Sequence, residues 1–139
     1  MLKGEFLVAQ EQIEQLFAAI SEADSVLILP HNDPDPDAIA SAVALRYLLE
    51  EKLRVDAQIA YRGFIGRAEN KAMVRYLGRP LRRLNKADLR SGRPIALVDT
   101  QPGAGNNPLP SQISPAIVID HHPWCDATYE ADFFDVRPE

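Results

Sequence analysis

The stretch Ser25-Val26-Leu27-Ile28-Leu29-Pro30-His31-Asn32-Asp33-Pro34-Asp35-Pro36-Asp37-Ala38 passes from an unbroken apolar run into a turn carrying one imidazole and three carboxylates. A short, continuous apolar run is what a strand buried on both faces looks like. The same change from apolar to charged recurs twice downstream. Pro94-Ile95-Ala96-Leu97-Val98 leads into Asp99-Thr100, and Ala116-Ile117-Val118-Ile119 leads into Asp120-His121-His122. Strands ending in chemistry-bearing residues suggest a sheet whose carboxyl ends meet at one rim, where ligands bind in open α/β sheets.

Helical patterns separate these strands. Val8 to Ala23 predicts an amphipathic helix, with Ile13, Leu16, Phe17 and Ile20 on one stripe. Asp37 to Glu51 predicts a second, apolar around much of its girth through Ile39, Val43, Tyr47 and the Leu45, Leu48, Leu49 group. Val55 to Tyr61 alternates like a strand. Arg67 to Leu77 predicts a third helix, with Ala72, Met73, Tyr76 and Leu77 inward and Arg67, Lys71 and Arg75 outward, stopped by Gly78 and Pro80. Leu81 to Leu84 is a short candidate strand, Gln101 to Pro115 a long loop, and Tyr129 to Val136 an extended segment. Strands alternating with helices predict an α/β fold, a mostly parallel Rossmann-like sheet with helices on both faces.

At 139 residues the chain is expected to form a single domain spanning 1–139. It contains no apolar run near the ~20 residues of a membrane span and no secretory h-region at Met1-Leu2-Lys3-Gly4-Glu5-Phe6. One cysteine, Cys125, excludes an internal disulfide, so a reducing, cytoplasmic setting is expected. The net charge of −5 conceals an asymmetry: residues 62–93 carry 10 basic and 2 acidic side chains, whereas the flanks are acidic. Much of the flanking acid lies at the strand ends, and gathered carboxylates need cations.

Imidazoles mixed with hard carboxylate oxygens suit Mn²⁺, Mg²⁺ or Zn²⁺. In His31-x-x-x-Asp35-x-Asp37, Pro34 and Pro36 stiffen the turn, and alternate carboxylates can face two different ions. Asp37 also stands where it could be a helix N-cap and nothing more. Asp99 has two oxygens and can bridge two cations. Adjacent His121 and His122 point in different directions and can play different parts.

The order of these motifs resembles the DHH phosphoesterase superfamily, which includes RecJ-type exonucleases, oligoribonucleases, cyclic-dinucleotide phosphodiesterases, exopolyphosphatases and manganese pyrophosphatases. Pro30 to Ser41 looks like the family's first motif, Val98-Asp99-Thr100 its second, and Asp120-His121-His122-Pro123 its third. The resemblance implies two Mn²⁺ ions (or Mg²⁺), one held by His31, Asp35 and Asp99, the other by Asp37, Asp99 and His121. It implies that His122 contacts the scissile phosphate and that Asp120 orients the histidines. The chain departs from the pattern at Pro36 and Ala40, where Gly is frequent. Family members also carry a later metal-binding Asp and a second domain. Asp126, Asp132 and Asp135 lie too close to His122 for that role and are expected to be surface or turn residues. The chain is therefore expected to be a fragment lacking a C-terminal part, with weak or no hydrolysis of its own.

Three functions remain open: a phosphodiesterase acting on short nucleic acid or nucleotides, a polyphosphatase or phosphomonoesterase, and a noncatalytic nucleotide-binding regulatory module. The basic segment, with Arg67, Lys71 and Arg75 foremost, could bind a polyanionic substrate, pair with the acidic flanks, or dock a further domain. Cys125 is read as a bystander thiol, Trp124 as a packing residue, and Gly103-Ala104-Gly105-Asn106-Asn107 as a loop near the mouth of the site.

Overall fold

The computed structural model describes residues 2–139. Six strands form one all-parallel sheet: β1 (Ser25–Pro30), β2 (Asp56–Tyr61), β3 (Leu81–Arg83), β4 (Ile95–Val98), β5 (Ile117–Asp120) and β6 (Phe133–Val136), in the order β3-β2-β1-β4-β5-β6. The α/β class and the parallel Rossmann-like sheet are as expected; the α-helices, expected on both faces, pack on one, and loops with 3₁₀ turns cover the other. Chain direction across the sheet reverses between β1 and β4, so the loops leaving these two strands part to opposite faces and open a crevice between them.

Right-handed crossovers decide which face each connection covers. The links through α2 (Pro36–Leu53) and α3 (Ala68–Tyr76) step outward from β1 toward β3 and cover one face. There Ile39, Ala42, Leu45 and Leu49 pack on Val26, Ile28, Ala57 and Ile59. The first helix, α1 (Leu2–Ala18), and the turn after it cover the rest of that face with Leu16 and Ile20, near Ile117 and Phe133. The links from β4 to β5 and β6 step the other way and cover the second face without an α-helix. Leu27, Leu29, Leu97 and Val118 are roofed there by Leu109 and Ile113 of the long loop and by Leu84, Leu89 and Ala131, beside 3₁₀ turns at Asp88–Arg90 and Asp126–Glu130.

Several local expectations are corrected. The first helix starts earlier than Val8 and ends at Ala18, where the chain tightens through Ile20 N–H to Phe17 O, 3.2 Å. Its first half stands clear of the sheet, so Phe6, Leu7, Val8 and Ile13 are exposed. Tyr47, Ala72, Tyr76 and Leu77 are exposed as well, and α3 turns Met73, as expected, together with Val74 toward the core. Tyr129 and Glu130 belong to a 3₁₀ turn rather than an extended segment, with Tyr129 edge-on to Trp124 at 4.7 Å. The basic segment is partly internal. Arg82 and Arg93 both donate to the buried carboxylate of Asp88, at 2.7–2.9 Å, and both reach the Gln58 side-chain oxygen.

Candidate metal centre

Pro30, Val98 and Ile119 are successive register partners across β1, β4 and β5. The residues that follow them, His31, Asp99 and Asp120, therefore leave the sheet side by side. The strand-end motifs meet because their strands are adjacent and in step.

Asp99 is the centre of the arrangement. It is 6% exposed and lies in the left-handed region at φ 59°, a conformation Asp tolerates better than most residues. One carboxylate oxygen stands 3.5 Å from His31 Nε2; the other stands 2.9 Å from His121 Nε2 and 3.9 Å from His122 Nδ1. Burial, and then the charge of Asp35, push the Asp99 carboxyl above its ordinary range, against the pull of the three imidazoles.

His31 is held by its backbone. Nδ1 lies 2.7 Å from the Asn32 carbonyl. A carbonyl only accepts, so Nδ1 carries the hydrogen, and in the neutral imidazole Nε2 presents a lone pair. That nitrogen faces Asp99 at 3.5 Å and Asp35 at 3.6 Å. These distances are long for hydrogen bonds and close to the separation of two donors that each lie about 2.1 Å from one cation.

Asp35, not Asp37, is the N-cap of α2. Its Oδ1 accepts from Ala38 N at 2.9 Å, Pro36 takes the first helical position, and Oδ2 is left toward His31. Asp37 is exposed in the first turn and falls in neither group of candidate donors. Those groups are His31, Asp35 and Asp99, and Asp99, Asp120, His121 and His122, each with ligand atoms within 4.8 Å of one another.

Asp120 holds His122: Oδ1 lies 2.6 Å from His122 Nδ1. This bond, chiefly, raises the His122 pKa above its ordinary value; burial opposes it, and the charges of Asp120, Asp99 and Asp35 reinforce it. The other Asp120 oxygen accepts from Gln101 Nε2 at 2.7 Å. Gln101 is 1% exposed and joins the two motifs. Its nitrogen also donates to the Pro123 carbonyl at 3.1 Å, and its oxygen accepts from Cys125 N and Thr128 Oγ1, each at 2.9 Å. Thr100 and Asn107 clasp the loop that follows, and Asn106 O accepts from Asn32 N at 2.6 Å, so this loop does lie beside the His31 strand end.

Gln101 went unnoticed in the sequence. Its partners lie on another loop, and nothing local separates it from a surface glutamine. Asp135 is only partly exposed, with its carboxylate held by Arg137 at 2.8 Å, and lines a cleft of about 440 Å³ together with Asp99 and His121. A second cleft, about 430 Å³, lies on the His31 and Asp35 side, against Phe64, Arg67 and Asn70. A third, about 550 Å³, lies between Ala18–Ala23 and Pro94, away from these groups, and holds no imidazole. Lys71 and Arg75 are exposed on α3 and line neither of the two clefts at the centre.

The donor set fits divalent cations: an imidazole with its lone pair turned inward, a buried carboxylate with imidazoles at both oxygens, and a second carboxylate facing the same point.

Two comparisons bear on this site. The family model described as "DHH family, N-terminal domain" matches residues 25–137. A protein of Methanocaldococcus jannaschii, named "Uncharacterized protein MJ1633", is 47% identical over 115 residues, 82% of this chain and 23% of that protein. The chain thus spans about a quarter of the length of this relative.

Proposed function

The chain belongs to the DHH family, a phosphoesterase-type family that generally uses divalent metals, and from that premise we propose that this domain hydrolyses phosphodiester bonds of short nucleic acid or nucleotide substrates with two divalent ions, Mn²⁺ foremost. The observation that carries the reading is the Asp99 carboxylate, buried between His31 Nε2 and His121 Nε2 with one oxygen toward each.

His31, Asp35 and Asp99 would hold one ion; Asp99 and His121, with Asp37 as the remaining candidate, would hold the other. Such ions supply Lewis acidity, lowering the pKa of water and stabilising charge on a phosphoryl group. The side chains do the rest. Asp99 fixes the relative position of His31 and His121. His122, kept protonated to higher pH by Asp120, offers a cationic donor to a phosphate oxygen. Gln101 keeps Asp120 aimed at His122. The domain would act as one part of a longer protein in a reducing, cytoplasmic setting.

A noncatalytic nucleotide-binding role is the second reading. It is favoured by Asp37, which lies outside both donor groups and so leaves the second ion with fewer ligands. Hydrolysis of bis-p-nitrophenyl phosphate, a dinucleotide and pyrophosphate in Mn²⁺ separates the two. Turnover that EDTA and Asp99→Asn abolish supports the phosphodiesterase; binding of the dinucleotide without turnover in any assay, including that of the longer protein, supports the second reading.

A further inference from the structure

The cleft beside His31 and Asp35 has features that metal binding does not use. Phe64 lies on its wall with 76% of its surface exposed. Yet its backbone position is fixed. Phe64 N donates to Asp33 Oδ1 at 2.6 Å, and Asp33 N donates to Arg62 O at 2.9 Å. Gly63, at φ 94°, lets the backbone pass so close to Asp33 that any Cβ would collide with its carboxylate. Asp33 itself adopts φ 52°. Behind the ring, the Arg83 guanidinium lies 6.0 Å from the Phe64 centroid and 5.6 Å from that of Tyr61, and donates to Gly63 O at 2.9 Å. The ring is thus backed by a cation and tied to the strand end that bears His31.

Two further groups line the cleft, Asn70 and Arg67. Asn70 is 6% exposed, and its side-chain oxygen has no hydrogen-bond partner among the described residues, a costly state for a buried acceptor. Arg67 precedes α3, whose first turn has no side-chain cap. Free first-turn amides and a guanidinium favour an anion.

We propose that this cleft is a nucleoside-monophosphate subsite: Phe64 stacks the base, Asn70 accepts from a sugar hydroxyl, and Arg67 with the start of α3 receives a phosphate. Base stacking on an aromatic ring is sequence-tolerant, so the subsite reads the presence of a base rather than its identity. Pyrophosphate and polyphosphate lack any group for Phe64 or Asn70. The substrate class is therefore nucleotidic. The inference deepens the phosphoesterase reading and depends on it only for placing the scissile phosphate beside His31.

The test uses 2-aminopurine ribonucleoside 5′-monophosphate, whose fluorescence is quenched on stacking, titrated with the chain in Mg²⁺. Saturable quenching by the wild type is expected. Phe64→Ala should weaken it about tenfold or more, Phe64→Tyr should stay within about threefold because the stacking face is kept, and Asn70→Ala should weaken it in between. Displacement by unlabelled nucleotide should be much stronger in the wild type than in Phe64→Ala, and displacement by pyrophosphate equal in both. No quenching by the wild type, or equal affinity of Phe64→Ala, overturns the subsite. Hydrolysis of bis-p-nitrophenyl phosphate by the same samples in Mn²⁺ separates the two readings. Phe64-dependent quenching with hydrolysis absent from these samples and from the longer protein contradicts the phosphoesterase and supports the subsite. Hydrolysis with Phe64-independent quenching does the reverse.

Discussion

Asp120 and Gln101 meet at 2.7 Å, carboxylate oxygen to amide nitrogen, with neither side chain open to solvent. The contact ties the loop after β4 to the end of β5. Through it the orientation of His122 depends on a residue whose contacts with the candidate donors are to the Asp120 carboxylate and, at 3.3 Å, to the His122 backbone carbonyl.

Replacing Gln101 should therefore disturb both stability and the site. Gln101→Ala abandons Asp120 Oδ2, Cys125 N and Thr128 Oγ1 inside the protein, and should cost on the order of 2–4 kcal/mol, measured by urea unfolding. Gln101→Glu should be at least as damaging, because its carboxylate would face that of Asp120 and the Pro123 carbonyl. A change below about 0.5 kcal/mol for Gln101→Ala would contradict the linking role.

Asp88 governs a separate, acid-sensitive part of the fold. The forked hydrogen bonds from Arg82, above all, hold its carboxyl at about 2; Asn85 N and Arg93 add to this, and burial opposes it. A folded pKa below the unfolded value of 3.8 means stability that is present above pH 4 and lost as pH falls through about 2. Asp88→Asn should lose about 2 kcal/mol at pH 7 and flatten the urea midpoint between pH 5 and 2. A variant with the wild-type acid limb would contradict it.

His122 should titrate above an ordinary histidine in metal-free protein, because Asp120 accepts a short hydrogen bond from its ring and adds a negative charge beside it. With the folded pKa raised, the associated stabilisation is full below the unfolded value of 6.5 and fades as pH rises through the folded one. Asp120→Asn should bring the His122 proton resonance back toward normal titration in an NMR pH series in EDTA. An unchanged His122 titration would contradict this account.

How much of this was legible in the sequence follows from how local each signal is. His31, Asp99 and Asp120 were visible because each directly follows a buried apolar run, and the register of parallel strands then aligns them. The exchange between Asp35 and Asp37 was a local misreading: Pro36 at the first helical position already implies that the residue before it is the cap. The exposure of Ile13, Tyr47 and Tyr76 was not legible, since helical period tells which residues share a stripe but not where along the helix the sheet ends. Gln101, Phe64 and Asn70 acquire their roles only from loops that fold beside them. The pairing of Arg82 and Arg93 with Asp88 removes two cations from a segment whose composition alone reads as a polyanion surface.

Asp99→Asn should fold well, because Asn is at ease at φ 59° and the change removes a buried charge. Since the Asp99 pKa is raised, its ionised form opposes folding above the unfolded pKa. The metal-free variant should melt at the same temperature as the wild type or higher, in EDTA at pH 7. A clearly lower melting temperature would contradict this.

The most direct measurement is Mn²⁺ stoichiometry and affinity, by equilibrium dialysis with elemental analysis, for the wild type and Asp99→Asn. If one carboxylate serves two ions, the wild type takes up two Mn²⁺ per chain at saturation, and the single substitution weakens both by about tenfold or more. Two ions bound by Asp99→Asn with wild-type affinity, or none bound by the wild type at millimolar Mn²⁺, would contradict the two-ion centre.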